Sequence, residues 1–130
     1  MISAILLAAG ESKRFGSKNK LIENFKKKPL INHVLKSLIN SKIDEIFIIL
    51  GFEKIKIKKV ILKNKKIIFV INKKYKKGIS TSIKCGLKKI SNNSTGFIIV
   101  HGDMPFIKSS HINKIYKSMN ALNEKIFIPI

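Results

Sequence analysis

The residues Ile2-Ser3-Ala4-Ile5-Leu6-Leu7-Ala8 form an almost unbroken apolar run that ends in Ala9-Gly10. A half-buried strand would alternate polar and apolar positions, so a continuous run of this length reads as a strand covered on both faces. Three more such runs follow, Glu45–Leu50, Ile67–Ile71 and Phe97–Val100, and Lys125–Ile130 begins a fifth. Between them lie segments with helical spacing. Pro29 opens a helix at its first position, and Ile31, Val34, Leu35, Leu38 and Ile39 fall on one face of it. The segment Glu53–Leu62 mixes both periodicities and is read as a helix. Ser80 or Thr81 is expected to cap a helix carrying Ile83, Leu87 and Ile90. Ser109 or Ser110 is expected to cap a last one carrying Ile112, Ile115, Tyr116, Met119 and Leu122. Strands separated by helices predict an α/β domain with a mainly parallel sheet and helices on both faces.

In such sheets ligands bind beyond the carboxyl ends of the strands. The loop after the first strand, the loop after the third and Gly102-Asp103 after the fourth should therefore converge. The 130 residues are read as one domain, without linker or repeat. No apolar run approaches the ~18 residues of a membrane span. The amino terminus lacks the basic start of a signal peptide, and one cysteine, Cys85, suits a reducing compartment; a cytoplasmic protein is expected. Cys85 itself is read as a small packed side chain.

Net charge is +20, from 27 basic and seven acidic residues. Such a balance raises the question of nucleic acid, but all the cations except Arg14 are lysines, spread along the whole chain. Base readers interleave arginine and aromatics on one face, so nucleic-acid binding is disfavoured. A positive field that draws in phosphate ligands is the simpler reading.

The first loop reads Leu7-Ala8-Ala9-Gly10-Glu11-Ser12-Lys13-Arg14-Phe15-Gly16-Ser17-Lys18-Asn19-Lys20-Leu21; the first strand and this loop together hold three of the four alanines, Ala4, Ala8 and Ala9, and the sole arginine. Small residues let backbone N–H groups approach phosphate oxygens; Arg14 offers a bidentate fork and Lys20 a mobile point charge. The spacing is neither that of a dinucleotide-binding glycine loop nor that of a Walker lysine loop. Asp103, after Gly102 at a strand end, is a carboxylate able to face a ligand. His101 precedes it by two residues and is expected on the same side of the strand, with a role near a metal or a structural one. His33 and His111 are expected to be exposed.

Leu-Ala-Ala-Gly-x-Ser-x-Arg-Phe-Gly followed by Asn19-Lys20-Leu21 resembles the signature loop of the molybdenum cofactor cytidylyltransferases, within the MobA-like nucleotidyltransferases. The resemblance continues through Lys28-Pro29-Leu30-Ile31, Asp44-Glu45, Leu50-Gly51, Asn72, Gly78–Leu87 and Gly102-Asp103-Met104-Pro105-Phe106. It implies a Rossmann-like three-layer α/β/α fold and transfer of CMP from CTP to a phosphorylated acceptor such as molybdopterin. By the same resemblance Leu7, Ala8, Ala9 and Gly10 would lie along the nucleotide, with Gly10, Ser12 and Arg14 around its phosphates. Lys20 would contact the α-phosphate, Asn72, Gly78, Ser80 and Ser82 would line the base and ribose end, and Asp103 would bind Mg²⁺. Ala9, where the guanylyltransferases usually carry glycine, favours CTP over GTP.

Alternatives are a relative that acts on a sugar or alcohol phosphate or uses GTP, and a non-catalytic nucleotide-binding protein. The family's C-terminal part, with a second metal-binding carboxylate, is expected beyond residue 130. On that expectation the chain alone binds nucleotide weakly and turns over little, and an uncovered sheet edge invites a protein partner or an oligomer.

If Arg14 grips phosphate with its fork, Arg14→Lys keeps the charge and should weaken CTP binding by ~1–2 kcal/mol. Calorimetric titration measures this, and an unchanged affinity removes Arg14 from the site.

Overall fold

The computed structural model describes residues 1–11, 19–90, 94–122 and 127–129, those from 120 onward by backbone alone. Five parallel strands form its sheet: β1 (Ile2–Ala8), β4 (Glu45–Leu50), β5 (Ile67–Ile71), β6 (Gly96–His101) and β7 (Phe127–Pro129), in the order β5-β4-β1-β6-β7. A two-stranded antiparallel hairpin, β2 (Asn24–Phe25) and β3 (Lys28–Pro29), stands apart from it. The helices are α1 (Leu30–Ile39), α2 (Lys54–Val60), α3 (Ile79–Lys89) and α4 (Ser109–Leu122).

β1 sits in the middle, paired with β4 on one edge and β6 on the other, and all seven of its residues are buried. Its alternate side chains face different helical layers. Ile2, Ala4, Leu6 and Ala8 pack with Ile31, Val34, Leu35 and Leu38 of α1, Ile57 of α2, and Ile112 and Met119 of α4. Ile5, Leu7 and Ala9 pack with Phe47, Ile49, Val70 and Ile99, against which Ile83 and Cys85 of α3 lie. This is the expected three-layer arrangement. Ser3, the one polar residue of β1, donates to Glu45 Oε1 at 2.6 Å and lies 3.0 Å from Ser94 Oγ, so its buried hydroxyl is satisfied.

Several local expectations are corrected. Neither Ser80 nor Thr81 caps α3; Gly78 holds the cap position with φ 110°, without a side-chain hydrogen bond. Thr81 lies inside the first turn, its hydroxyl turned back onto the Gly78 carbonyl at 2.7 Å. Of the expected face of α3, Ile83 and Ile90 pack against the core, but Leu87 is 42% exposed, and Ser82 and Gly86 are the buried residues of the helix. A Cβ on Gly86 would fall 2.8 Å from Ile5 Cδ1 and 2.9 Å from Ile5 Cγ2, so α3 lies on β1 as closely as its backbone allows.

Pro29 is the cap of α1, one residue earlier than expected. α1 also buries Asn32, whose amide donates to Val60 O at 2.8 Å and accepts from Leu62 N at 3.3 Å, anchoring the end of α2. His33 is not exposed: it is half-buried, hydrogen-bonded through Nε2 to the Phe25 carbonyl and set edge-on to the Phe25 ring. α4 begins at Ser109, so Ser109 and Ser110 lie within it, and the Lys108 N–H donates to His111 Nδ1 at 3.2 Å. His111 is exposed, as expected. β5 forms one edge of the sheet, with Ile68 and Ile71 partly exposed, and β7 forms the other.

The contact between α3 and β1 makes Gly86→Val a measurable test. Overpacking against Ile5 should cost about 1–3 kcal/mol, which exceeds the few tenths that valine gains over glycine as a helix former. Urea unfolding followed by far-ultraviolet circular dichroism should show an earlier midpoint, and an unmoved midpoint would mean that α3 stands further from Ile5.

Candidate active site

The sheet order reverses direction at β1: the chain passes from β1 to β4 and β5 on one side, then crosses to β6 on the other. At such a switch point the connections leave in opposite directions and open a crevice beyond the strand ends. A pocket of about 590 Å³ lies there. Its floor is Leu7, Ala8, Ala9 and Gly10 at the end of β1; one wall is His101, Gly102 and Asp103, and the other is Tyr75, Gly78, Ile79 and Ser82. The three segments expected to converge do so.

Each wall is fixed by backbone bonds. Gly102 N–H donates to Leu7 O at 3.0 Å, tying the end of β6 to β1, and a Cβ at Gly102 would come within 3.1 Å of that carbonyl. Phe52 N–H donates to Ala9 O at 3.0 Å, tying the end of β4 to the same strand. On the far wall, Gly78 adopts φ 110°, a value that strains any residue with a side chain. It introduces the 11-residue α3 without a side-chain cap. The partial positive charge of that helix end faces the pocket where Gly78 and Ile79 line it.

Lys20 opens a 3₁₀ turn, Lys20–Ile22, whose cap Asn19 accepts from Leu21 N at 3.1 Å. Its Nζ stands 3.9 Å from Asp103 Oδ2, and the two side chains are 38% and 47% exposed. His101 lines the same pocket as Asp103, on the expected side of β6. The Nδ2 amide of Asn19, beside Lys20, is buried without a hydrogen-bond partner among the described residues.

The residues singled out in the sequence divide into three sets. Leu7, Ala8, Ala9, Gly10, Lys20, Gly78, Ser82 and Asp103 meet in this pocket. Asn72 and Ser80 are not in its wall. Asn72 is buried one layer behind, its amide donating to Ser82 Oγ and Thr81 Oγ1 at 2.9 Å each and accepting from Lys74 N at 2.9 Å. Ser80 is exposed on the first turn of α3. Ser12 and Arg14 lie outside the described residues.

Sequence reasoning missed Tyr75 and Ile79 as lining residues. The signal for Tyr75 was Gly51, where a Cβ would fall 2.6 Å from Tyr75 Cβ: glycine at the end of β4 makes room for that ring. A second cleft, about 740 Å³, opens on the other side of the Lys20–Asp103 pair, between the β2–β3 hairpin and residues 104–107. Nothing in the sequence reading anticipated it.

Among the described residues no group of three or more His, Cys, Asp or Glu side chains is placed to hold a metal ion. The groups at the pocket able to bind a cation are few: the carboxylates of Asp103, which is partly exposed, and of Glu11, with His101 lining the same pocket. That fits a hard cation which brings phosphate oxygens and water as its other ligands, and does not fit a closed protein cage. No helix of the described residues is long and apolar enough to cross a membrane.

Proteins similar to this chain include ones named as nucleotidyltransferases. The bifunctional protein GlmU of Caldicellulosiruptor saccharolyticus is 31% identical over 113 residues, 85% of this chain and 24% of that protein. A probable molybdenum cofactor guanylyltransferase of Thermococcus sibiricus is 30% identical over 127 residues, 96% of this chain and 60% of that protein. A 2-C-methyl-D-erythritol 4-phosphate cytidylyltransferase of Lachnoclostridium phytofermentans is 32% identical over 120 residues, 88% of this chain and 50% of that protein. The chain thus spans about a quarter of GlmU and 50–60% of the other two. In three dimensions, Rv0371c of Mycobacterium tuberculosis matches with a TM-score of 0.81 at 20% identity, over 92% of this chain and 60% of that one. Its complex with manganese matches with a TM-score of 0.73 at 17% identity, over the same shares of the two chains. The MobA-like NTP transferase domain matches residues 4–130, and the chain belongs to that family.

Proposed function

We propose that this domain binds a nucleoside triphosphate, with CTP favoured, and transfers its nucleoside monophosphate to a phosphorylated acceptor such as molybdopterin. The observation that carries the reading is the pocket at the sheet's switch point. There the end of β1, the uncapped start of α3, Lys20 and Asp103 face one space. Uncharged floor and charged rim suit a ligand with a flat base at one end and a polyphosphate at the other.

In the proposed reaction an oxygen of the acceptor phosphate attacks the α-phosphorus of the triphosphate. A new P–O bond forms, the bond to the β-phosphate bridging oxygen breaks, and pyrophosphate leaves with that electron pair. The acceptor phosphate is ionised at neutral pH, so no general base is required. The chain's own groups then have two tasks, to hold the phosphates in line and to offset negative charge on their oxygens. Lys20 serves the second at the α-phosphate. The α3 amino end and the backbone at Ala9 and Gly10 serve the first, and Ser82, held by Asn72, shapes the wall beside Ile79. Asp103 would hold Mg²⁺, which when bound neutralises charge on the phosphate oxygens. The manganese complex of Rv0371c supports a divalent ion in this fold.

Support for CTP comes from Ala9, a residue of the pocket floor that is 2% exposed and packed against the core. A second reading, transfer to a sugar phosphate, has the similarity to GlmU in its favour.

Two measurements test the proposal. Asp103→Asn should leave the melting temperature within a few degrees, since the group is about half exposed, while removing the enhancement of CTP binding by Mg²⁺. Equal enhancement in variant and parent would refute the metal assignment. In a competition titration CTP should displace GTP at lower concentration; a GTP preference would move the domain to the guanylyl side of its family.

A further inference from the structure

Two clefts meet at Lys20 and Asp103, and the nucleotide reading occupies only one. The second, at about 740 Å³, has the size of a small-molecule site. Its walls differ in kind from those of the first. Six of its 11 lining residues are apolar: Phe25, Leu30, Met104, Pro105, Phe106 and Ile107. Phe106 is 69% exposed, the highest value among the large hydrophobic side chains of the described residues. It is nevertheless held in place. Its ring stands edge-on to Phe25, with centroids 5.7 Å apart at 85°, and Phe25 is braced edge-on by His33. Lys26 Nζ lies 5.3 Å from the Phe106 centroid and 5.6 Å from that of Phe25, which places a cation at the rim.

We propose that this cleft seats the organic body of the acceptor and selects phosphate monoesters of planar aromatic or heteroaromatic groups over sugar phosphates. The proposal rests on the transferase reading, because that reading makes Lys20 and Asp103 the place where two ligands meet. Lys20 and Asp103 line both clefts, so an acceptor whose phosphate reaches them from the second cleft presents that phosphate to the first. Lys20 and Lys26 supply cations for such an anion, and the apolar wall supplies contact for a ring. A sugar would bring hydroxyls that each need a partner on desolvation, against a wall that is mostly carbon. A planar ring brings few such groups and gains the edge and face contacts that Phe25 and Phe106 offer.

The test uses the 130-residue chain with CTP and Mg²⁺ present, and 1-naphthyl phosphate, N-acetylglucosamine 1-phosphate and inorganic phosphate as probes, titrated by ligand-observed NMR. The naphthyl ester should bind roughly tenfold more tightly than the sugar phosphate, the scale of one aromatic stacking contact. Phe106→Ser, at an exposed position whose loss leaves the core intact, should erase that preference without changing affinity for inorganic phosphate or CTP. Equal binding of the two esters, a preference that survives Phe106→Ser, or displacement of CTP by the naphthyl ester would each overturn the proposal. A Phe106-dependent preference in a chain that fails to bind CTP would support the cleft's selectivity while removing the transferase reading, so the two failures are distinguishable.

Discussion

β1 is bonded to a parallel neighbour on each edge and buried on each face, and the candidate site inherits its position from that confinement. A slip of one residue would exchange Ile5 and Leu7 with Ala4, Leu6 and Ala8 between two helical layers of different shape. Gly86 of α3 touches Ile5 so closely that no exchange of side chains could be absorbed there. The strand therefore ends at one fixed point. Leu7 and Ala9 offer their carbonyls to Gly102 and Phe52, so the ends of β6 and β4 are fixed to the same point. The pocket is a consequence of where three rigid strands stop.

α3 shows how the fold keeps one wall open to a ligand. A serine, threonine or aspartate at the cap would satisfy one of the first N–H groups of the helix and remove it from any ligand. Gly78 leaves the cap without a side chain, and its φ of 110° aims the chain into the helix at an angle other residues resist. The anchoring that a cap would supply comes instead from Asn72, which reaches from the end of β5 to Thr81 and Ser82, and from Thr81, which returns to the Gly78 carbonyl. The polar groups that stabilise the turn are thus placed behind the pocket, and the helix dipole is left in front.

The inner strands β1 and β4 were legible because burial on both faces requires near-continuous apolar runs; β5 keeps such a run although Ile68 and Ile71 reach solvent at the sheet edge. The convergence of loops at the carboxyl ends followed from parallel topology alone. α3 was misread in part: Ile83 and Ile90 pack as their spacing indicates, but the closest approach to the sheet is made by Ser82 and Gly86, whose smallness leaves no hydrophobic signal, while Leu87 reaches solvent. Asn32 escaped notice and His33 was read as exposed for a related reason: Asn32 is buried and His33 half-buried on a carbonyl partner, of Val60 and Phe25, that no local pattern announces. The second cleft was invisible because Phe25 and Phe106 lie far apart in sequence and mark no element. Ser12 and Arg14, which drew attention first, fall outside the described residues.

The charge of +20 gains meaning from where the few carboxylates stand. Asp44 and Glu45 hold the start of β1, through Ile2 N–H and the Ser3 hydroxyl, and Glu53 pairs with Lys56. Glu11, Glu23 and Asp103 line the two clefts. A uniformly cationic surface would draw polyphosphates in and hold them in many poses. Carboxylates at the clefts oppose a bare phosphate at short range, where screening over a Debye length of ~8 Å leaves their effect intact. The local preference is then for an anion that arrives with a cation of its own. The Lys20–Asp103 pair has the same character: at 3.9 Å and well exposed, such a pair adds little to folding. A ligand that draws the two groups to opposite ends of a metal–phosphate unit gives up little stability, and gains an anchor for each charge.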